Sequence, residues 1–227
     1  MALDLYVGSL TRYYLSDWET AGAKAAREAG VPYQVIRPSS KTDDAVTDPA
    51  VIRDAVAAWR TSVESALKKY LTVGLSWSEE PEAPYFTDRP ASDGYAGLVL
   101  LAAHTELPEF PLPEQAVSQW QQDDAFRAVT SPDFKSRFSS LYEVELWLPG
   151  HFSFKFKAPD VAGATVWVGS SVSLYEQLRH LDDETYRGQL SGHPESGFDQ
   201  SARFGLETFL RLARLSVEHQ LPMKLDY

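Results

Sequence analysis

Tyr142-Glu143-Val144-Glu145-Leu146-Trp147-Leu148-Pro149-Gly150-His151-Phe152-Ser153-Phe154-Lys155-Phe156-Lys157 is the stretch on which the reading of the fold turns. Tyr142, Val144, Leu146 and Leu148 alternate with Glu143, Glu145 and Trp147. Phe152, Phe154 and Phe156 alternate with Ser153, Lys155 and Lys157. Successive strand side chains point to opposite faces, so a period of two predicts two half-buried strands around Pro149-Gly150, a β-hairpin. A two-residue loop would mix apolar and polar faces. A three-residue loop pairs Leu148 with Phe152, Leu146 with Phe154 and Val144 with Phe156. It also sets Glu145 opposite Lys155 and Glu143 opposite Lys157 on the wet face. Trp147 then lies on that charged face, either as a contact for a partner or covered by another element.

Downstream, residues 158–163 read as a turn and 164–168 as a third strand. Ser173-Leu174-Tyr175-Glu176 is a capping box, in which hydroxyl and carboxylate satisfy free backbone donors. Leu174, Leu178 and Leu181 line the helix that follows. Residues 188–197 read as loop. A closing helix over 198–220 carries Ala202, Leu206, Phe209, Ala213 and Val217 on one stripe and stops before Pro222.

Upstream, Asp48-Pro49 predicts a cap with proline in the first turn. Ile52, Val56, Trp59, Val63, Ala66 and Tyr70 then recur at steps of three and four over a helix at 49–73, closed by Gly74. Residues 76–90 read as loop, 92–105 as a central helix, 107–113 as a proline-studded connection and 114–129 as a weaker helical segment. At the N-terminus Leu3, Leu5 and Val7 alternate with Asp4 and Tyr6 as a strand. Ser16-Asp17-Trp18-Glu19 caps a helix over 17–29, and a short strand at 33–36 completes a β-α-β opening. Together these predict one α+β domain over 1–227. Its mainly antiparallel sheet holds a central hairpin and the first strand, and packs against several amphipathic helices, with 49–73 and 198–220 covering it.

Composition bounds the chemistry. The chain has 227 residues, 44% hydrophobic and 12% aromatic, which supplies a core. It has no cysteine, which excludes disulfides, thiolate metal sites and a cysteine nucleophile. No signal sequence is visible and the longest apolar run, 96–103, is too short to span a bilayer. A cytoplasmic protein without membrane contact is expected. The net charge of −11, with lysines and arginines scattered along the chain, disfavours nucleic acid and suits a basic protein partner.

Catalytic motifs are missing. His104, His151, His180, His193 and His219 form no H-x-x-x-H pair, so no metal site is expected. There is no G-x-G-x-x-G, no G-K-[ST] and no G-x-S-x-G, and no cofactor is expected. Val168-Gly169-Ser170-Ser171, between strand and helix, is the nearest thing to an anion-binding turn, and ordinary turn chemistry explains it. Acid pairs such as Asp43-Asp44 and Asp182-Asp183 read as solvated surface. The one unusual local feature is Leu10-Thr11-Arg12-Tyr13-Tyr14, followed by Asp17-Trp18. Arginine among aromatics is typical of recognition surfaces, so Arg12, Tyr13, Tyr14 and Trp147 are the candidate binding residues. Packing of the first helix against the sheet is the alternative role.

Several pieces spread over the chain carry a resemblance. These are Leu3-Asp4-Leu5-Tyr6-Val7-Gly8 with Leu10-Thr11-Arg12-Tyr13-Tyr14, Leu146-Trp147-Leu148-Pro149, Lys157-Ala158-Pro159-Asp160, and His219-Gln220-Leu221-Pro222 with Leu225-Asp226-Tyr227. With them the chain resembles an uncharacterised family of bacterial cytoplasmic proteins. That resemblance implies one domain and brings no activity, ligand or site. In size and acidity the chain is also similar to immunity proteins of bacterial toxin systems. The expected function is non-enzymatic binding of another protein, of immunity or adaptor type. A small-molecule enzyme or ligand-binding domain, with a site assembled from distant residues, is the competitor.

Overall fold

A computed structural model describes residues 3–32, 48–71, 74–114, 119–187 and 197–226. The strands are β1 (Asp4–Val7), β2 (Phe86–Asp88), β3 (Leu146–Leu148), β4 (Phe156–Pro159), β5 (Thr165–Ser170) and β6 (Met223–Asp226). They form one sheet in the order β2-β1-β6-β3-β5-β4. Only β3 and β5 run parallel; every other neighbour pair is antiparallel. The fold is α+β with a mostly antiparallel sheet, and the first strand belongs to it.

The central hairpin is displaced by one strand. β3 and β4 are not neighbours, because β5 lies between them. The antiparallel hairpin is β4–β5, closed by a turn in which Asp160 N donates to Ala164 O at 2.7 Å and Gly163 adopts φ +85°. The expected Glu145–Lys155 and Glu143–Lys157 pairs give way to one, Lys155 Nζ to Glu143 Oε2 at 3.0 Å. Alternation tells which face a side chain takes but not which strand lies alongside. The signal for the true neighbour is Leu146-Trp147-Leu148, apolar without interruption and buried on both faces, as a central strand flanked by a parallel neighbour must be.

Each residue row across the sheet faces one layer of helices. Phe156, Val168, Leu146, Lys224, Tyr6 and Thr87 are successive partners on one face. Their apolar half meets α3 (Pro49–Leu67), which buries Val56, Trp59, Val63 and Leu67 with Leu146, Leu148, Val166 and Val168. The polar half, from Lys224 onward, lies on the side of α1 (Leu10–Tyr14), whose Tyr13 ring packs on Tyr6. On the other face Trp147, Met223, Val7 and Leu5 join the cluster built by α4 (Ser92–Glu106), α5 (Asp124–Val129), α6 (Ser171–Asp182) and α7 (Gly197–His219). α4 is buried from Gly94 to His104, as its unbroken apolar middle predicts. It crosses α7 so closely that a Cβ on Gly205 would stand 2.0 Å from Gly94 O, and one on Gly97 2.7 Å from Ala202 N.

Several boundaries move for local reasons. α2 (Ala21–Ala29) starts at Thr20, whose hydroxyl accepts from Ala23 N, not at Ser16, which is forced to φ +56° behind the unforeseen α1. Ser170 caps α6 in place of Ser173. α3 ends at Leu67, leaving Tyr70 57% exposed. Leu174, Leu178, Leu181, Ala202, Leu206, Phe209 and Ala213 are buried as their spacing predicts. The expected strand at 33–36 and most of the loop at 188–197 lie outside the described residues.

Candidate functional site

The cluster singled out near the N-terminus is committed to internal bonds. Arg12 donates through Nη1 to Ala83 O at 2.5 Å and through Nη2 to Pro81 O, and lies 5.0 Å from the Tyr85 ring centroid. Tyr13 donates to Asp226 Oδ1, and Tyr14 to Asp160 Oδ2 at 2.8 Å. Trp147 is 0% exposed, its indole N–H donating to Ser140 O at 2.6 Å, so it belongs to the core and not to a charged face. Of the two roles weighed for these residues, the geometry fits packing.

What these tyrosines cover is a polar network that no short motif announces. Asp160 is its hub: Oδ1 accepts from Ala162 N and Ala164 N at 3.0 and 2.9 Å, and Oδ2 faces Lys224 Nζ at 3.6 Å. Lys224 also lies 5.3 Å from the Tyr13 ring centroid. Burial pushes the Glu145 carboxyl above its ordinary value, opposed by Lys224 and reinforced by Asp160. A carboxyl raised in the folded state contributes stability that is fully present below its unfolded value and lost as pH rises through the folded one. Glu145→Gln removes that titration. Chemical denaturation between about pH 4.5 and 7 should therefore show a smaller loss of stability with rising pH in the variant than in the parent.

The Gly169–Ser171 turn is occupied as well. Ser170 Oγ donates to Gly150 O at 2.5 Å while accepting from Ser173 N, and Ser171 Oγ donates to Leu148 O at 3.3 Å. Ordinary turn chemistry accounts for it.

A different concavity has the properties of a binding surface. A groove of about 450 Å³ runs between α6 and α7, lined by Arg179, Arg187, Arg203, Arg211 and Arg214 over a floor that includes Leu206 and Leu210. Helical spacing builds it. Arg203, Leu206, Leu210, Arg211 and Arg214 follow one another at steps of three, four and one on α7, and Tyr175, Arg179 and Asp182 at steps of four and three on α6. A π-helical turn, Asp183–Arg187, then widens the end of α6 and brings Tyr186 and Arg187 to the same groove. Such turns are frequent at functional sites.

Most of these arginines have carboxylate neighbours. Arg187 Nε is 2.7 Å from Asp182, Arg203 Nε 3.5 Å from Glu207 and Arg214 Nε 3.6 Å from Glu218, and Arg211 pairs with Asp88. The four guanidinium side chains are 46–68% exposed, so each pair contributes about 0–1 kcal/mol and can be exchanged for an incoming anion. Arg179 has no carboxylate partner among the described residues and lies 6.0 Å from the Tyr175 ring centroid. In sequence the basic residues look scattered; folding gathers five of the 21 into one place. The α7 spacing was readable beforehand, but the α6 wall was not.

Among the described residues no group of three or more His, Cys, Asp or Glu is placed to hold a metal ion, and no helix is long and apolar enough to cross a membrane. No protein-family model, curated protein or solved structure matches the chain.

Proposed function

We propose that this chain is a non-enzymatic protein that acts by binding another protein, with the groove between α6 and α7 as its recognition surface. The observation that carries the reading is the convergence of five arginines from α6, the π-helical turn and α7 on one open concavity. Arginine is enriched where interfaces derive their energy, and here the guanidinium groups rim an apolar floor. As an immunity or adaptor protein in the cytoplasm, the chain would act by occlusion or tethering without turning over a substrate.

A second reading has its own support. A volume of about 450 Å³ is within the range of small-molecule sites, and the groove is assembled from two stretches, 175–187 and 203–214. A small anionic ligand is then the occupant.

Panning random peptides on the full chain separates the two. Under the first reading peptides are selected whose binding is lost when Arg179, Arg203 and Arg211 are replaced together by alanine. Peptides indifferent to that replacement, or selection of none while a small anion such as citrate binds at the groove, would overturn it.

A further inference from the structure

The lining of the groove specifies more than a place of contact. Five guanidinium groups line it with the carboxylates of Asp182 and Glu207, while Asp183, Asp88 and Glu218 neighbour Arg187, Arg211 and Arg214 and Arg179 has no carboxylate partner among the described residues, in a chain whose net charge is −11. No lysine lines it. That choice matters chemically. A guanidinium presents a planar fork that engages a carboxylate through two parallel hydrogen bonds, whereas an ammonium acts as a point charge. Two of the forks are pre-set by aromatic neighbours: Arg179 lies 6.0 Å from the Tyr175 centroid and Arg203 5.2 Å from that of Tyr186. Holding a guanidinium against a ring reduces the side-chain freedom lost when it binds. Between the charges Leu210 offers apolar surface beside the Tyr175 and Tyr186 rings, over Leu206, which is buried.

From this we infer that the groove recognises an acidic, amphipathic segment of the partner protein, one whose carboxylates alternate with apolar side chains. The inference rests on the reading of the groove as a protein-binding surface and names the chemistry of what it takes. Carboxylates of the segment displace the exposed carboxylates that now neighbour Arg203, Arg211 and Arg214, so that each fork exchanges an internal partner for an external one. Apolar side chains of the segment settle on Leu210 and the Tyr175 and Tyr186 rings. Arg203 and Arg211 are eight residues apart on α7, a rise of about 12 Å, so a segment needs acidic groups at both ends of that span to meet them.

The sign of the recognised segment is opposite to the one the net charge favours. The two act at different ranges. Whole-chain charge steers bodies toward one another at a distance, and an acidic chain steers basic ones. At physiological salt the screening length is about 8 Å, so within the groove the nearest charges decide. A basic protein carrying an acidic segment satisfies both.

Three probes test the inference on the full chain by fluorescence anisotropy at low salt: a synthetic glutamate/leucine peptide, its lysine/leucine counterpart and a single-stranded oligonucleotide. The acidic peptide is expected to bind, to weaken as salt is raised and to lose about tenfold or more in Kd in each of Arg179→Ala and Arg203→Ala. All the groove arginines are exposed, so these variants keep the fold, and an unchanged circular dichroism spectrum verifies it. Arg179→Lys should recover little of the loss, since charge alone does not replace the fork. Binding of the lysine peptide or the oligonucleotide at the groove in preference to the acidic peptide overturns the inference and leaves a macromolecule-binding groove standing. Failure of every probe and of panned peptides alike overturns the underlying reading as well.

Discussion

Trp147→Ala should cost about 3–5 kcal/mol of stability, read as a fall in the denaturation midpoint at constant slope. Trp147 is the largest fully buried side chain of the molecule. It stands in the middle of β3, beside Met223 of β6 on one side and Gly169 of β5 on the other. Its ring meets that of Phe209 edge to face at 6.1 Å. Alanine leaves a cavity between sheet and helices and strips Ser140 O of its donor. The indole packs directly over the Gly169 backbone, where a Cβ would lie 3.1 Å from Val144 Cγ1 and 3.4 Å from Trp147 Cδ1. Trp147→Phe keeps most of the volume and should lose less. A loss below about 1 kcal/mol for the alanine variant would mean that Trp147 is not a core residue and that β3 has been placed with the wrong face inward.

Asp160→Ala should be comparably severe, about 3–5 kcal/mol, for a different reason. The carboxylate holds three parts of the chain at once: the β4–β5 turn through two backbone amides, α1 through Tyr14, and β6 through Lys224. Asp160 and Lys224 are both buried, so removing the anion leaves an ammonium facing the Tyr13 ring without its closest counter-charge. Asp160→Asn retains the acceptor for the amides but loses the charge and the oxygen that accepts from Tyr14, so it should lie between the parent and the alanine variant. In a double-mutant cycle, Lys224→Met should be costly alone and cheaper on the Asp160→Asn background, because the second change removes the stranded charge. Additive effects would show that the two groups do not interact and that the network is a coincidence of placement.

These two residues mark what was and was not readable in advance. The Asp160 turn lay in plain view between two apolar runs, and turn chemistry predicts it from local sequence. Its ties to Tyr14 and Lys224 span 146 and 64 residues of chain, and nothing local encodes them. Alternation alone puts Trp147 on the face opposite Leu146 and Leu148, and so on a wet one. Arg12, Tyr13 and Tyr14 stood out by composition, yet composition is silent on whether an arginine among aromatics meets a partner or two carbonyls of its own chain. The groove arginines carry no local signal, for the converse reason. Each is an ordinary exposed residue on an amphipathic helix, and only the meeting of α6 and α7 makes them neighbours.

By itself the sequence determined the α+β class, the helices at Ser92–Glu106, Ser171–Asp182 and Gly197–His219 to within a few residues, the start of the helix at Pro49–Leu67 but not its end, and most of their buried stripes. Those features are set by periodicity and capping, which act over three or four residues and are written directly in the chain. Tertiary structure alone decided the insertion of β5 between β3 and β4, the burial of Trp147 and the gathering of five arginines in one groove. Each of these depends on which surfaces come into contact across tens of residues. That choice follows from burying both faces of the sheet at once, a global condition that no local pattern states.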